Sequence, residues 1–279
     1  MSDTPNLLFF FPDQWRHDWT RRNPDLDIRT PNLERLARAG TVFTDAACAS
    51  PLCAPSRAAL ALGVEYSRCP VRNNNDDLPL DRTTVYRLLR DAGVHTTGCG
   101  KFDLHKDTYR WGLDGTTDLD AWGFADGIDN EGKIDAFLSD RKGQRGPYMH
   151  YLETRGLREA HIADHEARAD DPTRPTPLPE DAYCDNWIGQ NGLDLIDRAP
   201  AGRPWFLQVN FTGPHSPWDV TQRMWENVRD RALPPPVHST REHDPQAIEI
   251  RRNYVAMLEN IDRWVGIYLD ALAARGALA

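Results

Sequence analysis

The chain has 279 residues, of which 40% are hydrophobic, and it carries a formal net charge of -9. This length suits one globular domain with a sizeable core, or at most two domains. The acidity argues against nucleic acid as a main partner, because phosphate backbones are bound through clustered Lys and Arg. An anionic substrate must therefore be attracted by a local group of basic residues.

No targeting or membrane-spanning segment is expected. The apolar run 7–11 is too short for the core of a signal peptide, and no run approaches the length needed to span a bilayer. The five cysteines are an odd number without the paired spacing of a metal site. We therefore expect a cytoplasmic protein with no membrane partner and no disulfide framework.

The N-terminal part predicts a strand followed by a helix. The short apolar run 6–11 reads as a buried strand whose C-terminal end delivers Asp13. Thr30 looks like a helix N-cap, because Pro31 follows it at the first helical position. Gly40 marks the end of this helix, and a second strand is expected at residues 41–43.

The rest of the chain is organised around the segment 48–68, whose centre is Cys53-Ala54-Pro55-Ser56-Arg57. A small apolar run at 58–62 predicts the start of a buried helix. Cys53 is then at or just before a helix N-terminus, where the backbone N–H groups and the helix dipole favour negative charge. Arg57 lies one turn further and points back toward the same place.

The next stretch predicts an amphipathic helix at 81–92 and a strand at 94–99, with Lys101 just beyond the strand. This alternation of helices and strands favours a largely parallel sheet. Ligands of such sheets bind beyond the carboxyl ends of the strands, where both Asp13 and Lys101 are expected. The apolar face of the predicted helix comprises Val85, Leu88 and Leu89.

The C-terminal half begins with residues 107–180, which read as an irregular insertion rather than a separate domain. A helix is predicted at 181–199, and a strand at 205–211 leads into Gly213-Pro214-His215-Ser216-Pro217. The two prolines of this loop stiffen it and fix the imidazole of His215. A long final helix is predicted to begin at Asp244-Pro245.

The pentapeptide at 53–57 resembles the Cys-x-Pro-Ser-Arg signature of the formylglycine-dependent sulfatases, in the alkaline phosphatase superfamily. The resemblance implies an alkaline-phosphatase-like α/β fold with a mainly parallel sheet between helices. It also implies that a separate formylglycine-generating enzyme oxidises Cys53 to an aldehyde, formylglycine, which Arg57 holds. The family often continues with Leu-Thr-Gly, which is degenerate here as Ala61-Leu62-Gly63.

A metal site is also implied by the resemblance. Asp13-Gln14 stands where the family places adjacent carboxylates, and Asp-Gln-Trp-Arg is similar to the start of related sulfatases and phosphonate or phosphodiester hydrolases. The implied ligands of a divalent cation are Asp13, Gln14 and the modified Cys53. Ca²⁺ is the first candidate because it accepts amide oxygens readily, with Mg²⁺ or Mn²⁺ as alternatives.

Three further residues match family segments. The segment Gly100-Lys101-Phe102-Asp103-Leu104-His105 resembles Gly-Lys-x-His, although the histidine here comes four residues after the lysine instead of two. Lys101 is then expected to bind a substrate oxyanion, and His105 to act catalytically on the aldehyde hydrate or the leaving group. His215 resembles the substrate-contacting histidine of the family's Pro-His-x-Pro segment.

The family's remaining metal ligands follow the long helix, on a strand that ends in a Ser-Asp-His-Gly-like turn. No such turn occurs before residue 279, so residues 1–279 are interpreted as one incomplete catalytic domain, truncated at the C-terminus. The expected function is hydrolysis of a small anionic substrate, a sulfate ester, with little or no turnover by this chain alone. The alternatives are a phosphonate monoester or phosphodiester hydrolase, an inactive fragment or binding protein, and an α/β domain with a coincidental pentapeptide.

Overall fold

A computed structural model describes residues 4–277 of the chain. The described residues divide into two compact units. The first unit contains the chain up to Phe11, together with Thr44–Arg158 and Trp187–Thr212. The second unit contains Pro12–Phe43, Glu159–Asn186 and the chain from Gly213 onward.

The first unit contains a four-stranded sheet in which every neighbouring pair is parallel, in the order β1-β4-β2-β3. This arrangement confirms the predicted mainly parallel sheet and brings the carboxyl ends of the strands to one edge. The strands are β1 (Leu7–Phe10), β2 (His95–Gly100), β3 (Asp126–Asp129) and β4 (Trp205–Asn210).

The described residues form ten α-helices and two short 3-10 turns, at Tyr66–Arg68 and Glu180–Ala182. Between residues 4 and 277, no helix combines the length and apolarity that crossing a bilayer requires. The helices are α1 (Pro31–Ala39), α2 (Cys53–Leu62), α3 (Val85–Asp91), α4 (Leu119–Trp122), α5 (Lys133–Arg141), α6 (Pro147–Thr154), α7 (Arg158–Ala167), α8 (Cys184–Arg198), α9 (Gln222–Val228) and α10 (Pro245–Ala274).

The core of the first unit forms where α2 and α3 pack with aromatic residues around the sheet. The alanines of α2 are small, so the helix backbone can approach its neighbours closely. Tyr86 of α3 fills the adjoining space, with its ring centroid 4.3 Å from that of Phe124. This burial keeps α2, and therefore Cys53 at its start, in a defined position.

The second unit is built on α10, which packs against α1 and α9. The side chain of Asp244 accepts the N–H of Gln246 at 2.9 Å, which confirms the predicted start of the helix. The predicted N-cap Thr30 makes no capping bond to α1. Instead, the carboxylate of Asp262 in α10 accepts the N–H groups of Asn32 at 3.2 Å and Leu33 at 2.7 Å.

Three local predictions were wrong, wholly or in part. Residues 41–43 form no strand; Val42 and Phe43 are exposed, and no strand pairs with them among residues 4–277. The helix predicted at 81–92 begins only at Val85, because the Thr84 side chain accepts the N–H of Arg87 at 3.1 Å and caps it. On this helix Val85 and Leu88 are exposed and Tyr86 is buried, so the predicted apolar face was wrong for those two residues. It was right for Leu89, which packs against the core.

The prediction that residues 107–180 are irregular was wrong as well. This segment contains α4, α5, α6, α7 and strand β3, which joins the edge of the sheet beside β2. The strand reads Asp-Gly-Ile-Asp and therefore lacks the apolar run that marked the other strands. Gly127 is required there, because an added Cβ would lie 2.1 Å from the carbonyl oxygen of Gly98.

Candidate functional site

Cys53 is the first residue of α2, as the sequence predicted, and its side chain is half-buried. Arg57 follows one turn later, so both residues lie on the same face of the helix. The N-cap residue, Leu52, makes no side-chain hydrogen bond to the first turn of this helix. The N–H of Ala54 is instead accepted by the side-chain oxygen of Asn74 at 3.1 Å. Asn74 therefore supports the start of the helix, and its place in a polar loop gave no sequence signal for this role.

Arg57 is buried, and several contacts hold its guanidinium group. Its Nη1 donates to the backbone carbonyl of Lys101 and lies 3.5 Å from the side-chain oxygen of Asn210. The guanidinium also lies 4.8 Å from the ring centroid of Phe11. Since Lys101 and Asn210 are at the carboxyl ends of β2 and β4, Arg57 is fixed at the edge of the sheet where ligands bind.

Lys101 is buried in the same region, and its Nζ lies 3.0 Å from a carboxylate oxygen of Asp103. The same carboxylate lies 3.3 Å from Nζ of Lys106. Burial alone would raise the pKa of Asp103, but the two ammonium groups outweigh it and hold that pKa well below its usual range. Asp103 therefore stays ionised. The sequence reasoning missed both Asp103 and Lys106, for which the alternating charges at 101, 103 and 106 were a signal.

His105 is buried inside the first unit, with its ring stacked on that of Trp122 at a centroid distance of 5.3 Å. Its Nε2 lies 2.7 Å from the carboxylate of Asp129, and its Nδ1 accepts the backbone N–H of Arg110 at 3.1 Å. Burial lowers the pKa of His105, but the bond to Asp129 more than offsets it and raises that pKa. Because both ring nitrogens have partners, the ring of His105 is held in one orientation; its catalytic role stays a prediction.

In the second unit, Asp13 and His215 lie close together. The N–H of Asp13 donates to the carbonyl of Gly213 at 3.0 Å, and Asp13 forms a parallel bridge with Pro214. A carboxylate oxygen of Asp13, which is buried, and a ring nitrogen of His215 lie within 4.8 Å of one another. Nδ1 of His215 donates to the carbonyl of Ser216 at 2.7 Å, which leaves the acceptor lone pair of a neutral ring on Nε2.

The loop that carries His215 has a support that the sequence reasoning missed. Asp185 is fully buried near the start of α8, and its two carboxylate oxygens lie 3.2 and 3.1 Å from the N–H of Gly213. An added Cβ at Gly213 would lie 2.4 Å from Asp185 Oδ2, so only glycine fits beside this carboxylate. No local sequence pattern linked the two residues.

Gln14 is exposed and has a left-handed backbone with φ of 65°. Its carbonyl oxygen accepts the hydroxyl of Tyr254 at 2.7 Å, which holds the backbone next to Asp13. A buried carboxylate, an amide oxygen and an imidazole nitrogen are donors that suit a divalent cation, and the oxygens suit Ca²⁺ or Mg²⁺ in particular. In the second unit, Asp13 and His215 lie close enough to one another for both to contact such an ion.

Comparisons with known proteins show the family of the chain. The model of the sulfatase family matches residues 5–278. An arylsulfatase of Clostridium perfringens is 24% identical over 98% of the chain, and a choline-sulfatase of Rhizobium meliloti is 27% identical over 96%. The chain spans 60% and 54%, respectively, of the lengths of these relatives.

A solved structure shares the fold. The crystal structure of a phosphonate monoester hydrolase of Agrobacterium radiobacter superposes with a TM-score of 0.74 at 21% identity, covering 98% of this chain and 60% of that one. The expected alkaline-phosphatase-like fold is thereby confirmed. Because the family model covers nearly the whole sequence, the chain belongs to the sulfatase family.

Proposed function

We propose that this chain takes part in the hydrolysis of a small anionic substrate, a sulfate ester. The observation that carries the proposal is the position of Cys53 at the start of α2, one turn before the fixed guanidinium of Arg57. A nucleophile formed at Cys53 would meet a helix N-terminus and a buried cation. Both features favour the negative charge that develops when a sulfate ester is attacked.

The roles of the remaining residues follow from their chemistry. Arg57 and Lys101 bind and orient the sulfate oxygens and stabilise their growing charge. His215 is proposed to contact the substrate, with its tautomer set by the bond from Nδ1 to Ser216. His105 positions the segment after β2 through its bond to Asp129. Formylglycine at residue 53 and a divalent cation supply the nucleophilic chemistry when both are present.

Asp13 and Gln14 are proposed as ligands of the divalent cation, with Ca²⁺ ahead of Mg²⁺ and Mn²⁺. The buried carboxylate of Asp13 supports this assignment, since hard cations prefer carboxylate and amide oxygens. The modified Cys53 as a further ligand, the formylglycine-generating enzyme as a partner, and the single domain 1–279 stay predictions from the resemblance. A cytoplasmic location also stays a prediction; all five cysteines are free thiols, which fits a reducing compartment.

Co-expression with a formylglycine-generating enzyme tests the proposal. Peptide mass spectrometry should find the aldehyde at Cys53 and an unmodified thiol at the exposed Cys48, which serves as an internal control. The converted chain is then assayed on 4-nitrophenyl sulfate, on a 4-nitrophenyl phosphonate ester and on a phosphodiester, with Cys53→Ala as the blank.

The outcomes separate the alternatives. Hydrolysis that is fastest on the sulfate supports the proposal, and hydrolysis that is fastest on either phosphorus ester supports the alternative enzyme class. A converted chain that binds aryl sulfate without turnover agrees with the expected low turnover of this chain alone, and it supports the inactive fragment or binding protein. An unmodified Cys53 under these conditions would count against the formylglycine assignment.

A further inference from the structure

A cavity of about 840 Å³ lies in the second unit, outside the residues assigned to the candidate functional site. It is lined by Trp19 and Leu26 from the segment before α1, by the loop 232–237, and by Arg251 of α10. The loop contributes Leu233 and three consecutive prolines, so one wall is apolar and stiff. The cavity therefore has the size and one apolar wall that are typical of sites for small organic molecules.

Two guanidinium groups lie at this cavity, both near the ring of Trp19. The guanidinium carbon of Arg251 lies 4.6 Å from the ring centroid of Trp19, and that of Arg16 lies 5.6 Å from it. Trp19 is buried, and its ring packs edge-on against Tyr254 at a centroid distance of 4.9 Å. Because aromatic rings attract cations and Tyr254 fixes this ring, the guanidinium of Arg251 is held in a defined position.

The two arginines differ in their partners. Nε and Nη2 of Arg16 lie 3.0 and 2.7 Å from the two carboxylate oxygens of Asp18, so the charge of Arg16 is balanced. Between residues 4 and 277, Arg251 forms no ion pair, and its Nε is buried without a hydrogen-bond acceptor. Asp25, the second acidic residue of the lining, is exposed to solvent. Arg251 thus brings a positive charge to the cavity that no carboxylate contacts.

The surroundings of Arg251 favour an added anion. Burial and the charge of Arg16 lower the pKa of Arg251, and Asp18 offsets them only in part. An arginine nevertheless stays protonated at neutral pH, so the positive charge persists. Since Nε is covered by the protein, an anion meets the guanidinium at its two Nη groups. Two parallel hydrogen bonds can form there to an anion that presents two oxygens.

We propose that this cavity binds a small organic monoanion whose carboxylate or sulfonate-type group contacts Arg251 and whose apolar part contacts Leu233 and the prolines. A single negative charge suffices, because Asp18 already balances Arg16. The inference goes beyond the proposed function and is independent of it, because it requires neither formylglycine nor a metal ion. It gives the second unit a ligand site of its own.

The probes are 2-naphthoate and 2-naphthalenesulfonate, because each joins one negative charge to a flat apolar body. Neutral 2-naphthamide controls for the apolar contact. Isothermal titration calorimetry on the full chain with unmodified Cys53 measures the Kd of each probe. Arg251→Gln should weaken both anions by about tenfold, as is usual for the loss of a hydrogen-bonded charge pair, and should leave the amide unchanged. The anion that binds more tightly identifies the group that the cavity prefers.

Arg229→Gln is a matched control. The guanidinium of Arg229 also lies over a tryptophan, at 5.3 Å from the ring centroid of Trp225, but it pairs with Asp230 outside the cavity. The substitution removes the same charge from the chain, so an unchanged Kd shows that net charge is not the cause.

Two substitutions of Val237 test the cavity without altering the core. Val237 is 74% exposed and lines the cavity, so changes there leave the buried residues intact. Val237→Asp should weaken both anions and Val237→Lys should strengthen them, each by about threefold, the usual effect of a solvent-exposed charge. These two variants decide the matter if Arg251→Gln does not fold.

Two kinds of result would overturn the proposal. Equal weakening of the anions and the amide by Arg251→Gln would mean that Arg251 only shapes the cavity. Anion binding that is unchanged by Arg251→Gln and by both substitutions of Val237 would place the probes elsewhere, and no binding of either anion by the unaltered chain would exclude the site.

Discussion

The side-chain oxygen of Asn74 accepts the backbone N–H of Ala54 at 3.1 Å, across twenty residues of sequence. This bond replaces the cap that Leu52 cannot provide at the start of α2. The first N–H groups of a helix have no partner within the helix, so an external acceptor stabilises them. The orientation of Cys53 thus depends on a residue outside its own helix.

Replacing Asn74 with Ala should destabilise the chain by about 1 kcal/mol, the usual cost of removing a helix cap. Urea unfolding followed by circular dichroism measures this loss. Asn75→Ala is the matched control, because Asn75 is exposed and only its backbone N–H makes a bond within the loop. Equal destabilisation by the two substitutions would show that Asn74 acts through the loop and not through the cap.

Gly100→Ala should disturb the strand end that carries Lys101. An added Cβ would lie 2.0 Å from the carbonyl oxygen of Asn210, which accepts the N–H of Lys101, and φ at this glycine is 101°. We expect a loss of about 2 kcal/mol or more, because a collision with backbone adds to the strain of the left-handed conformation.

Gly93→Ala separates these two effects. Its φ is 90°, but nothing lies within 4 Å of the added Cβ, so only the backbone strain of about 1 kcal/mol is expected. Thermal unfolding of both variants checks the difference. A Gly100→Ala variant no less stable than Gly93→Ala would contradict the close approach of β2 and β4 at this point.

Glu131 lies between β3 and α5, and its fully buried carboxylate contacts the start of α6. Its Oε2 accepts the N–H of Tyr148 at 3.1 Å, whereas Oε1 has no hydrogen-bond partner in the part of the chain that the structure describes. An added Cβ at Gly146 would lie 2.2 Å from Glu131 Cδ, so the carboxylate is closely enclosed. Burial raises the pKa of Glu131 to about 7, against the partial opposition of the backbone N–H groups.

The stability of the chain should therefore depend on pH through Glu131. Between pH 4.5 and about 7 the folded state binds this proton more tightly than the unfolded state, so the contribution of Glu131 falls as pH rises. A difference of this size corresponds to about 3 kcal/mol. Glu131→Gln cannot ionise and should be more stable than the parent at pH 8, with the gap closing toward pH 4.5.

Urea unfolding across this pH range measures the difference between Glu131→Gln and the parent. The exposed Glu65→Gln serves as the control and should show no such trend. A constant difference between Glu131→Gln and the parent at all pH values would mean that Glu131 does not change protonation on folding.

Calcium should raise the melting temperature of the chain through Asp13. A ligand that binds only the folded state stabilises it by about 2.7 kcal/mol at a hundredfold excess over its Kd. Asp13→Asn should remove most of this gain, since it deletes the buried charge, whereas the neighbouring exposed Asp18→Asn should retain it. Equal stabilisation of the two variants would exclude Asp13 as a ligand.

Features encoded within a few neighbouring residues were predictable from the sequence. The apolar run at β1, the Asp-Pro start of α10 and the small residues after Cys53 each specify their element through local geometry. For these elements the hydrophobic period and the cap lie inside one short segment, so no knowledge of distant residues was required. The sequence by itself therefore determined most strands, the placement of Cys53 at a helix start and the family.

Features that depend on distant partners were decided only by the tertiary structure. Asp262 rather than Thr30 caps α1, and the carboxylate of Asp129 is hydrogen-bonded to Nε2 of His105. Both contacts form because the fold brings together residues that are far apart in the chain. Strand β3 was missed since pairing with β2, and not its own apolarity, makes it a strand. Whether a buried charge is neutralised also depends on its neighbours in space. The ion pair between Lys101 and Asp103 therefore depends on where the fold places the two side chains.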